Sequence, residues 1–264
     1  MGRPLSELRH IVLDLDGTIY KGSRLFDCTL PFLAQLRTGG IGYTFLTNNT
    51  SRSKADYVGK LRGFGIECTD EQIFTPADSA IAYLQRFHAQ AVRIAVLGTP
   101  SLCAQFEGAG FTVDWEQPDA VVAGFDTTLT YERLCRAAWW ISQGLPFVAT
   151  HPDLVCPTDE PTVLVDCGAI CAALTAATGC KPVVLGKPDP SILLDLCRAR
   201  GLAPRQVAMV GDRIYTDMAM ARAAGAMGIL VLSGEATAAD VSAMKSPPDL
   251  VINDVGELGG LLTR

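Results

Sequence analysis

Near its start the chain carries the segment Ile11-Val12-Leu13-Asp14-Leu15-Asp16-Gly17-Thr18, an apolar run that ends in two carboxylates and a glycine. A short run rich in β-branched residues and followed by an Asp-Gly pair is typical of a buried strand that ends in a turn. Carboxylates at positions i and i+2 of a regular strand point to the same face, so both can surround one ligand. The alternative is an ordinary strand and turn, in which the carboxylates have no chemical role.

The two carboxylates suit different steps of phosphoryl transfer. Asp14 suits a nucleophile, since a carboxylate can attack phosphorus and form an aspartyl phosphate. Asp16 suits a general acid and base that protonates the leaving alkoxide and later activates water. That role requires a pKa above the ordinary ~4 of Asp, and a charged Asp14 nearby pushes the pKa in this direction. Mg²⁺ is the natural cofactor, because it prefers oxygen ligands and screens an anionic nucleophile from an anionic phosphate.

Similar strand patterns alternate with amphipathic helical patterns along the whole chain. Strands are predicted over residues 11–16, 43–47, 93–98, 120–125, 146–150, 207–211 and 228–233, and helical patterns include 51–65, 130–144 and 190–201. This alternation predicts βαβ units and an α/β fold with mainly parallel sheets covered on both faces. The carboxyl ends of parallel strands share one edge. The polar residues at the ends of three of these strands are therefore expected to meet there: Asp14 and Asp16, Thr47 and Asn48, and Asp212.

Four short motifs resemble, in order, those of the haloacid dehalogenase superfamily. They are Asp14-Leu15-Asp16-Gly17-Thr18, Leu46-Thr47-Asn48-Asn49, Gly186-Lys187-Pro188, and Gly211-Asp212-Arg213 with Thr216-Asp217. The second Asp of the first motif marks the phosphatases of that superfamily rather than its dehalogenases. From Ile11 to about Ile252 the chain resembles the NagD-type (class IIA) phosphatases, which include nucleotidases, phosphoglycolate phosphatases and p-nitrophenyl phosphatases. The resemblance implies hydrolysis of small phosphomonoesters.

For the metal side of the site, the resemblance assigns roles to four residues. Asp14 would be the nucleophile and a Mg²⁺ ligand, and Asp16 would be the acid/base and give its backbone carbonyl to the metal. Asp212 would complete the metal shell, with Asp217 in a supporting role. On the residues alone, Asp217 is also consistent with a favourable carboxylate in the first turn of a helix.

For the phosphate side, the resemblance implies that Thr47 and the Asn48 backbone hold phosphate oxygens. Lys187 would neutralise both the nucleophile and the phosphoryl group. A helix-like stretch starts near Ser51, so free backbone N–H groups are expected to face an anion. Taken alone, Asn48-Asn49 is also consistent with a turn, and Lys187 with a solvated surface residue.

The spacing of the motifs predicts where a second domain is inserted. Only 30 residues separate Asp16 from Thr47, whereas 139 lie between Thr47 and Lys187. The longer interval has room for an α/β domain, and the resemblance implies a C2-type cap that sets substrate specificity. We therefore expect a Rossmann-like parallel-sheet catalytic core over residues 1–78 and 182–264, with the inserted cap over 79–181.

Two segments of the predicted cap depart from the family pattern. His151 stands where Asn is commoner, and Asp166-Cys167-Gly168 replaces a Pro-Gly pair before a predicted helix. These changes leave the predicted chemistry intact but leave the substrate, and any effect on specificity, open. Trp139 and Trp140 fall in a helical pattern and are expected in the core rather than as a platform for base stacking.

Composition and charge argue against several classes of partner and location. A net charge of −6 disfavours nucleic acid and anionic membranes, which reward a basic surface. No apolar run approaches the ~18 residues of a membrane span, and no signal-type stretch follows the N-terminus. Nine cysteines without a CxxC pair fit a reduced protein, so a cytoplasmic location is expected. The expected partner is a small phosphorylated metabolite, with a homodimer possible.

Other functions on the same sequence are a phosphotransferase or mutase and a catalytically idle binding protein. The first also uses two aspartates on this scaffold. The second is disfavoured, because none of the expected catalytic residues is replaced. A metal-independent esterase has no G-x-S-x-G segment to support it.

Overall fold

The computed structural model describes residues 4–157 and 162–262, which fall into two compact units. The first unit comprises the described residues of Met1–Thr47, Val58–Phe74 and Lys187–Arg264, and the second those of Asn48–Tyr57 and Thr75–Gly186. Residues 48–57 group with the second unit, where Thr50 Oγ1 accepts a hydrogen bond from the Phe125 N–H at 2.9 Å. The functional boundaries expected from sequence, 1–78 with 182–264 and 79–181, stay a proposal.

The strands are, in chain order, β1 (His10–Leu13), β2 (Tyr20–Lys21), β3 (Arg24–Leu25), β4 (Gly42–Leu46), β5 (Ile73–Phe74), β6 (Arg93–Leu97), β7 (Thr112–Val113), β8 (Ala120–Ala123), β9 (Phe147–Ala149), β10 (Val155–Pro157), β11 (Val163–Val165), β12 (Val183–Val184), β13 (Val207–Gly211), β14 (Met227–Val231) and β15 (Leu250–Ile252). The α-helices are α1 (Thr29–Thr38), α2 (Lys54–Gly63), α3 (Pro76–Phe87), α4 (Pro100–Gly108), α5 (Tyr131–Ser142), α6 (Cys167–Thr178), α7 (Ser191–Arg200), α8 (Ala219–Ala224), α9 (Ala238–Ser242) and α10 (Val255–Leu262). A π-helical turn, Ile214–Met218, leads directly into α8.

A six-stranded parallel sheet in the order β15-β14-β13-β1-β4-β5 forms the first unit. Its central strands β1 and β13 are buried along their whole length, as expected when helices cover both faces. On one face, side chains of α7 and α8 such as Leu193 and Met220 pack on Val12 and Met209. β1 and β13 are neighbours in this sheet and end side by side, because Leu13 is in register with Val210.

A second parallel sheet, in the order β12-β9-β8-β6-β7, forms the second unit. One of its faces packs on α3 and α4, through residues such as Leu84 and Phe106, and the other on α5 and α6, through residues such as Ile141 and Leu174. β10 and β11 form a separate antiparallel pair with exposed side chains at Val163, Leu164 and Val165.

The predicted α/β class with parallel sheets is confirmed. The seven predicted strands correspond to β1, β4, β6, β8, β9, β13 and β14. The expectation that Trp139 lies in the core is wrong, since its side chain is 60% exposed. α5 buries Ala137 and Ile141, and Trp139 stands on the opposite side of the helix. Trp140 is partly buried and donates its indole N–H to the Trp115 carbonyl at 3.1 Å.

Two further expectations concern the membrane and the cysteines. Among the described residues, none of the helices combines the length and the apolar character needed to cross a bilayer. Among the described residues, none of the nine cysteines forms a disulfide, and the sulfur atoms of Cys167 and Cys171 lie 4.0 Å apart.

Candidate active site

Asp14 is the first residue beyond β1, and the sheet itself fixes its position. Its backbone N–H donates to the Val210 carbonyl of the neighbouring strand at 2.9 Å. Its carboxylate is almost fully buried, and Thr18 donates its hydroxyl to Oδ2 at 3.4 Å. The carboxylate is therefore held between the ends of the two central strands.

A buried lysine ties Asp14 to a second carboxylate. Lys187 Nζ forms ion pairs with Asp14 Oδ1 and, at 2.7 Å, with Asp217 Oδ1. Burial disfavours the charged form of Lys187, but the two carboxylates outweigh this cost and raise its pKa above the ordinary value. Lys187 therefore keeps its positive charge at neutral pH, and it is not the solvated surface residue that the sequence alone allowed.

Asp212 follows β13 and brings a third carboxylate to the same place. Asp14, Asp212 and Asp217 each offer an oxygen within 4.8 Å of the others. Asp212 Oδ2 accepts the Glu235 N–H at 2.7 Å, whereas its buried Oδ1 has no hydrogen-bond partner among the described residues. Burial, and then repulsion from Asp14 and Asp217, raises the pKa of Asp212 to about 7. Burial likewise raises the pKa of Asp217 to about 6, against the opposing effect of Lys187.

This cluster carries three carboxylates against one ammonium group, so a cation is the group that fits it best. Asp212 Oδ1, which is buried and has no hydrogen-bond partner among the described residues, can supply a ligand atom. Carboxylate oxygens are the ligands that Mg²⁺ prefers. The donor set therefore fits the cofactor expected from sequence.

Two glycines close around the Asp212 carboxylate. A Cβ atom at Gly17, whose φ is +83°, would lie 2.7 Å from Asp212 Cγ, and one at Gly234 would lie 2.5 Å from it. Ser233 next to Gly234 donates its hydroxyl to the Gly17 carbonyl at 2.6 Å. Sequence reasoning missed Ser233 and Gly234. The available signal was their position at the end of the predicted strand 228–233, whose last residue is Ser233, at the edge where polar residues were expected.

Asp16 lies near this cluster but at the surface. Its side chain is exposed, yet surrounding atoms and then the charge of Asp14 raise its pKa, with Lys60 and Arg213 acting in the opposite direction. Solvent access limits the size of this effect. The predicted direction of the shift is confirmed, although desolvation rather than Asp14 is its larger cause.

The phosphate-side residues fall in different units. Thr47 follows β4 in the first unit and donates its N–H to the Phe74 carbonyl at 3.2 Å. Asn48 belongs to the second unit, where its side-chain amide donates to Asp153 Oδ1 at 3.2 Å.

The helix after these residues begins at Lys54, later than the predicted start near Ser51. Asn49 Oδ1 accepts hydrogen bonds from the Ser51 N–H at 2.9 Å and from the Ser51 hydroxyl at 2.7 Å. Such a local turn competes with helix formation, which explains the delay. The N–H groups of the first turn of α2 therefore belong to residues well beyond Asn48.

Comparison with known proteins identifies the group to which this chain is similar. Residues 11–112 match the family model described as haloacid dehalogenase-like hydrolase, and residues 184–258 match a second model described as HAD-hydrolase-like. The 5′-nucleotidase YutF of Bacillus subtilis is 33% identical over 223 residues, which is 84% of this chain and 86% of the relative.

Solved structures agree with this assignment. A 4-nitrophenylphosphatase from Thermotoga maritima superposes with a TM-score of 0.93 at 40% identity, covering 97% of this chain and 98% of its own. The glycerol phosphate phosphatase of Mycobacterium tuberculosis, solved in complex with magnesium, has a TM-score of 0.88 at 32% identity, covering 98% of this chain and 79% of its own. NagD of Escherichia coli K-12 is also among the matching structures. The chain therefore belongs to the haloacid dehalogenase superfamily, within its NagD-type phosphatases.

Proposed function

We propose that this chain hydrolyses a small phosphomonoester, such as a nucleotide, a sugar phosphate or a phosphoglycolate-like compound, through an aspartyl phosphate on Asp14. One observation carries the proposal: the buried Asp14 carboxylate is paired with Lys187 beside two further carboxylates at the end of the central strands. A carboxylate in that setting can attack phosphorus, because nearby positive charge offsets its repulsion from the phosphate.

The reaction then divides the roles among four residues. The Asp14 carboxylate forms a bond to phosphorus while the ester P–O bond breaks, and Asp16 gives a proton to the leaving alkoxide. Asp16 next takes a proton from water, whose oxygen attacks phosphorus and releases inorganic phosphate and free Asp14. Lys187 neutralises the nucleophile and the phosphoryl group, and the Thr47 hydroxyl holds a phosphoryl oxygen. The raised pKa of Asp16 favours the protonated form that the first step needs.

The proposed cofactor is Mg²⁺, held by the carboxylates of Asp14 and Asp212 and the backbone carbonyl of Asp16. When bound, it supplies positive charge that screens the nucleophile from the phosphate and orients the phosphoryl group. Asp217 acts in support by pairing with Lys187 and accepting the Arg213 N–H at 3.1 Å. The Asn48 backbone N–H is proposed as a second donor to the phosphoryl group.

Substrate choice, location and assembly complete the proposal. Residues 79–181 are proposed to set the specificity, because a phosphate site recognises only the group that all substrates share. Nine free thiols favour the cytoplasm. A homodimer is compatible with the exposed valines at positions 163, 165 and 183, and light scattering would test it.

The decisive experiment is phosphate release from a panel of phosphorylated metabolites, with and without Mg²⁺, combined with mass spectrometry of the quenched enzyme. A phosphoryl group on the peptide that contains Asp14 and free phosphate with water as the only acceptor would support the proposal. Turnover that requires an added acceptor alcohol would instead indicate a phosphotransferase or mutase. A folded protein that hydrolyses none of the esters, including p-nitrophenyl phosphate, would indicate a binding protein.

A further inference from the structure

We propose that Asp153 is a positioning residue for the phosphate-binding loop, because it holds the side chain of Asn48 in place. The segment Asp166–Gly168 in turn holds Asp153. The inference rests on the proposed function, since it concerns how Asn48 and its neighbour Thr47 are oriented toward a phosphoryl group.

The contact between Asn48 and Asp153 joins residues 105 positions apart in the chain. The Asn48 side-chain amide donates to Asp153 Oδ1 at 3.2 Å and lies 3.4 Å from Oδ2. Asn48 itself is buried, with 6% of its surface exposed. Hydrogen bonds to an ionised acceptor are stronger than those between neutral groups, so this contact can fix the orientation of residue 48. Positioning matters here because small displacements of a binding group reduce its effect on the reaction.

Asp153 is fixed by backbone contacts from the start of α6. Gly168 donates its N–H to the Asp153 carbonyl at 2.8 Å, and Asp166 donates its N–H to the Leu154 carbonyl at 3.0 Å. A Cβ atom at Gly168 would lie 2.8 Å from the Pro152 carbonyl carbon, so residue 168 must be glycine for the two segments to approach this closely.

The side chains that depart from the family pattern meet at the same place. His151 and Asp166 are both buried, and His151 Nε2 lies 3.5 Å from Asp166 Oδ1. His151 Nε2 also lies 3.3 Å from the Thr50 hydroxyl, which belongs to the loop that follows Asn48. The two departures are therefore one matched pair of neighbouring side chains rather than two independent changes. Together they connect the start of α6 to the loop of Asn48.

The same segment also contacts the chain just before Lys187. A Cβ atom at Gly186 would lie 2.7 Å from the Thr150 carbonyl oxygen and 3.2 Å from His151 Cβ. Residues 150–153 therefore touch both Asn48 and Gly186, the chain neighbours of Thr47 and Lys187. A change in this segment is expected to act on phosphate binding through those two connections.

A reciprocal exchange tests the contact between Asn48 and Asp153. Asn48→Asp places two carboxylates against each other, Asp153→Asn removes the charge, and the double variant N48D/D153N restores an amide–carboxylate pair in the opposite orientation. We expect N48D to raise the KM of a phosphate ester and the inhibition constant of inorganic phosphate about tenfold or more. We expect the double variant to recover most of that loss, a coupling within the range found for residues in contact.

Asn49→Asp is the matched control, because Asn49 Oδ1 accepts two hydrogen bonds from Ser51 that an Asp can also accept. The substitution removes the 3.9 Å hydrogen bond from Asn49 Nδ2 to Cys156 Sγ, which does not involve Asp153. N49D combined with D153N should show no coupling. The proposal is overturned if all variants melt within a few degrees of wild type and the double variant is as defective as N48D. If N48D does not fold, Asp153→Ala replaces it. D153A should then raise the phosphate inhibition constant well above that of D153N, and equal constants would overturn the proposal.

Two further readouts separate this proposal from the proposed function. Binding of inorganic phosphate, measured by calorimetry with Mg²⁺ present, reports the coupling without any turnover. Wild type that binds phosphate and hydrolyses no ester would contradict the proposed function, while the exchange still decides the role of Asp153. Gly168→Ala should weaken phosphate binding more than it lowers kcat, and unchanged phosphate binding in a folded G168A protein would refute the part assigned to residues 166–168.

Discussion

Asp212 in the first unit and Asp126 in the second stand at closely similar places in their own sheets. Each follows the carboxyl end of a buried parallel strand, β13 or β8, and each is at most 5% exposed. Their partners differ. Asp126 Oδ1 accepts hydrogen bonds from the Thr128 N–H at 2.8 Å and from the Thr128 hydroxyl at 2.7 Å. Asp126 Oδ2 has no hydrogen-bond partner among the described residues but forms an ion pair with Arg133 at 3.0 Å. Its charge is therefore balanced by residues close by in sequence.

Asp212 lies instead beside two further carboxylates, those of Asp14 and Asp217. Burial, and then repulsion from Asp14 and Asp217, raises the pKa of Asp212, against the opposing effects of the Glu235 N–H and Arg213. Burial of a carboxylate at a strand end therefore does not by itself identify a site. What separates the two residues is that a cation close by in the chain balances the charge of Asp126, whereas two other acids lie beside Asp212.

Removing the nucleophile should have the largest effect. Asp14→Asn keeps the shape of the side chain but cannot attack phosphorus, so kcat should fall about a thousandfold or more while the protein stays folded. Steady-state kinetics and circular dichroism check both statements. A folded variant that keeps more than about a tenth of the activity would contradict the covalent mechanism.

Removing the cation should come next. Treatment with EDTA is expected to lower activity about a hundredfold or more, since a bound divalent ion contributes several kcal/mol to such reactions. Mg²⁺ should restore the rate, whereas Ca²⁺ should bind and support little turnover, because it accepts more ligands and favours bidentate carboxylates. Equal rates with the two ions, or full activity in EDTA, would refute the assignment of the acidic cluster.

Asp126→Asn tests whether the buried carboxylate of the second unit has a structural role alone. It removes the charge that pairs with Arg133, so the free energy of unfolding should fall by about 1–3 kcal/mol. Hydrolysis of p-nitrophenyl phosphate at a temperature where the variant is folded should change little. Denaturant unfolding and steady-state kinetics give the two numbers. A large loss of kcat with unchanged stability would mean that Asp126 belongs to a site after all.

The smallest expected effect is on the pH dependence of stability. Titration of Asp212 should lower the stability of the folded protein as pH rises. Its folded-state pKa of about 7 lies above the ordinary 3.8, so the folded state holds this proton more tightly than the unfolded state does. In EDTA, the stability contributed by protonated Asp212 is present below pH 4 and is lost as pH rises toward 7. We expect Tm to decrease by a few degrees between pH 5 and pH 8.

Asp212→Asn is the control for that experiment, because it removes the titrating group. The variant should lose less stability over the same pH range, and Mg²⁺ should raise the Tm of wild type more at pH 8 than at pH 5. Identical pH profiles for wild type and variant in EDTA would contradict the crowding of Asp212.

Sequence patterns predicted the parts of this molecule that depend on burial. β1, β4, β13 and β14 are continuous apolar runs because helices cover both faces of their sheet, and such runs are visible in one sequence. The edge strands β5, β7 and β12 have two residues each, too few to show a period. Trp139 was misplaced because a tryptophan in a helical pattern is counted as apolar, although only one side of α5 is covered.

Site residues that belong to a sequence motif could be predicted. Site residues that act through contacts formed only in the folded protein could not. Asp14, Lys187 and Asp212 were named from motifs, but their crowding depends on strand ends that come together only in the fold. Ser233 and Gly234 contribute through a hydroxyl and a missing side chain, which a motif search does not detect. The pairing of His151 with Asp166 was likewise hidden, because 14 residues separate the two positions in the sequence.

The two glycines around Asp212 have a consequence for how this protein can vary. At positions 17 and 234 even a methyl group would come within 2.7 Å of the carboxylate carbon of Asp212. Larger residues are therefore barred there by volume, whatever their chemical character. A library of random variants selected for turnover should retain glycine at both positions, whereas exposed positions nearby should accept many other residues. Mutation is thus restricted at Gly17 and Gly234, where a side chain has no room, as well as at Asp212 itself.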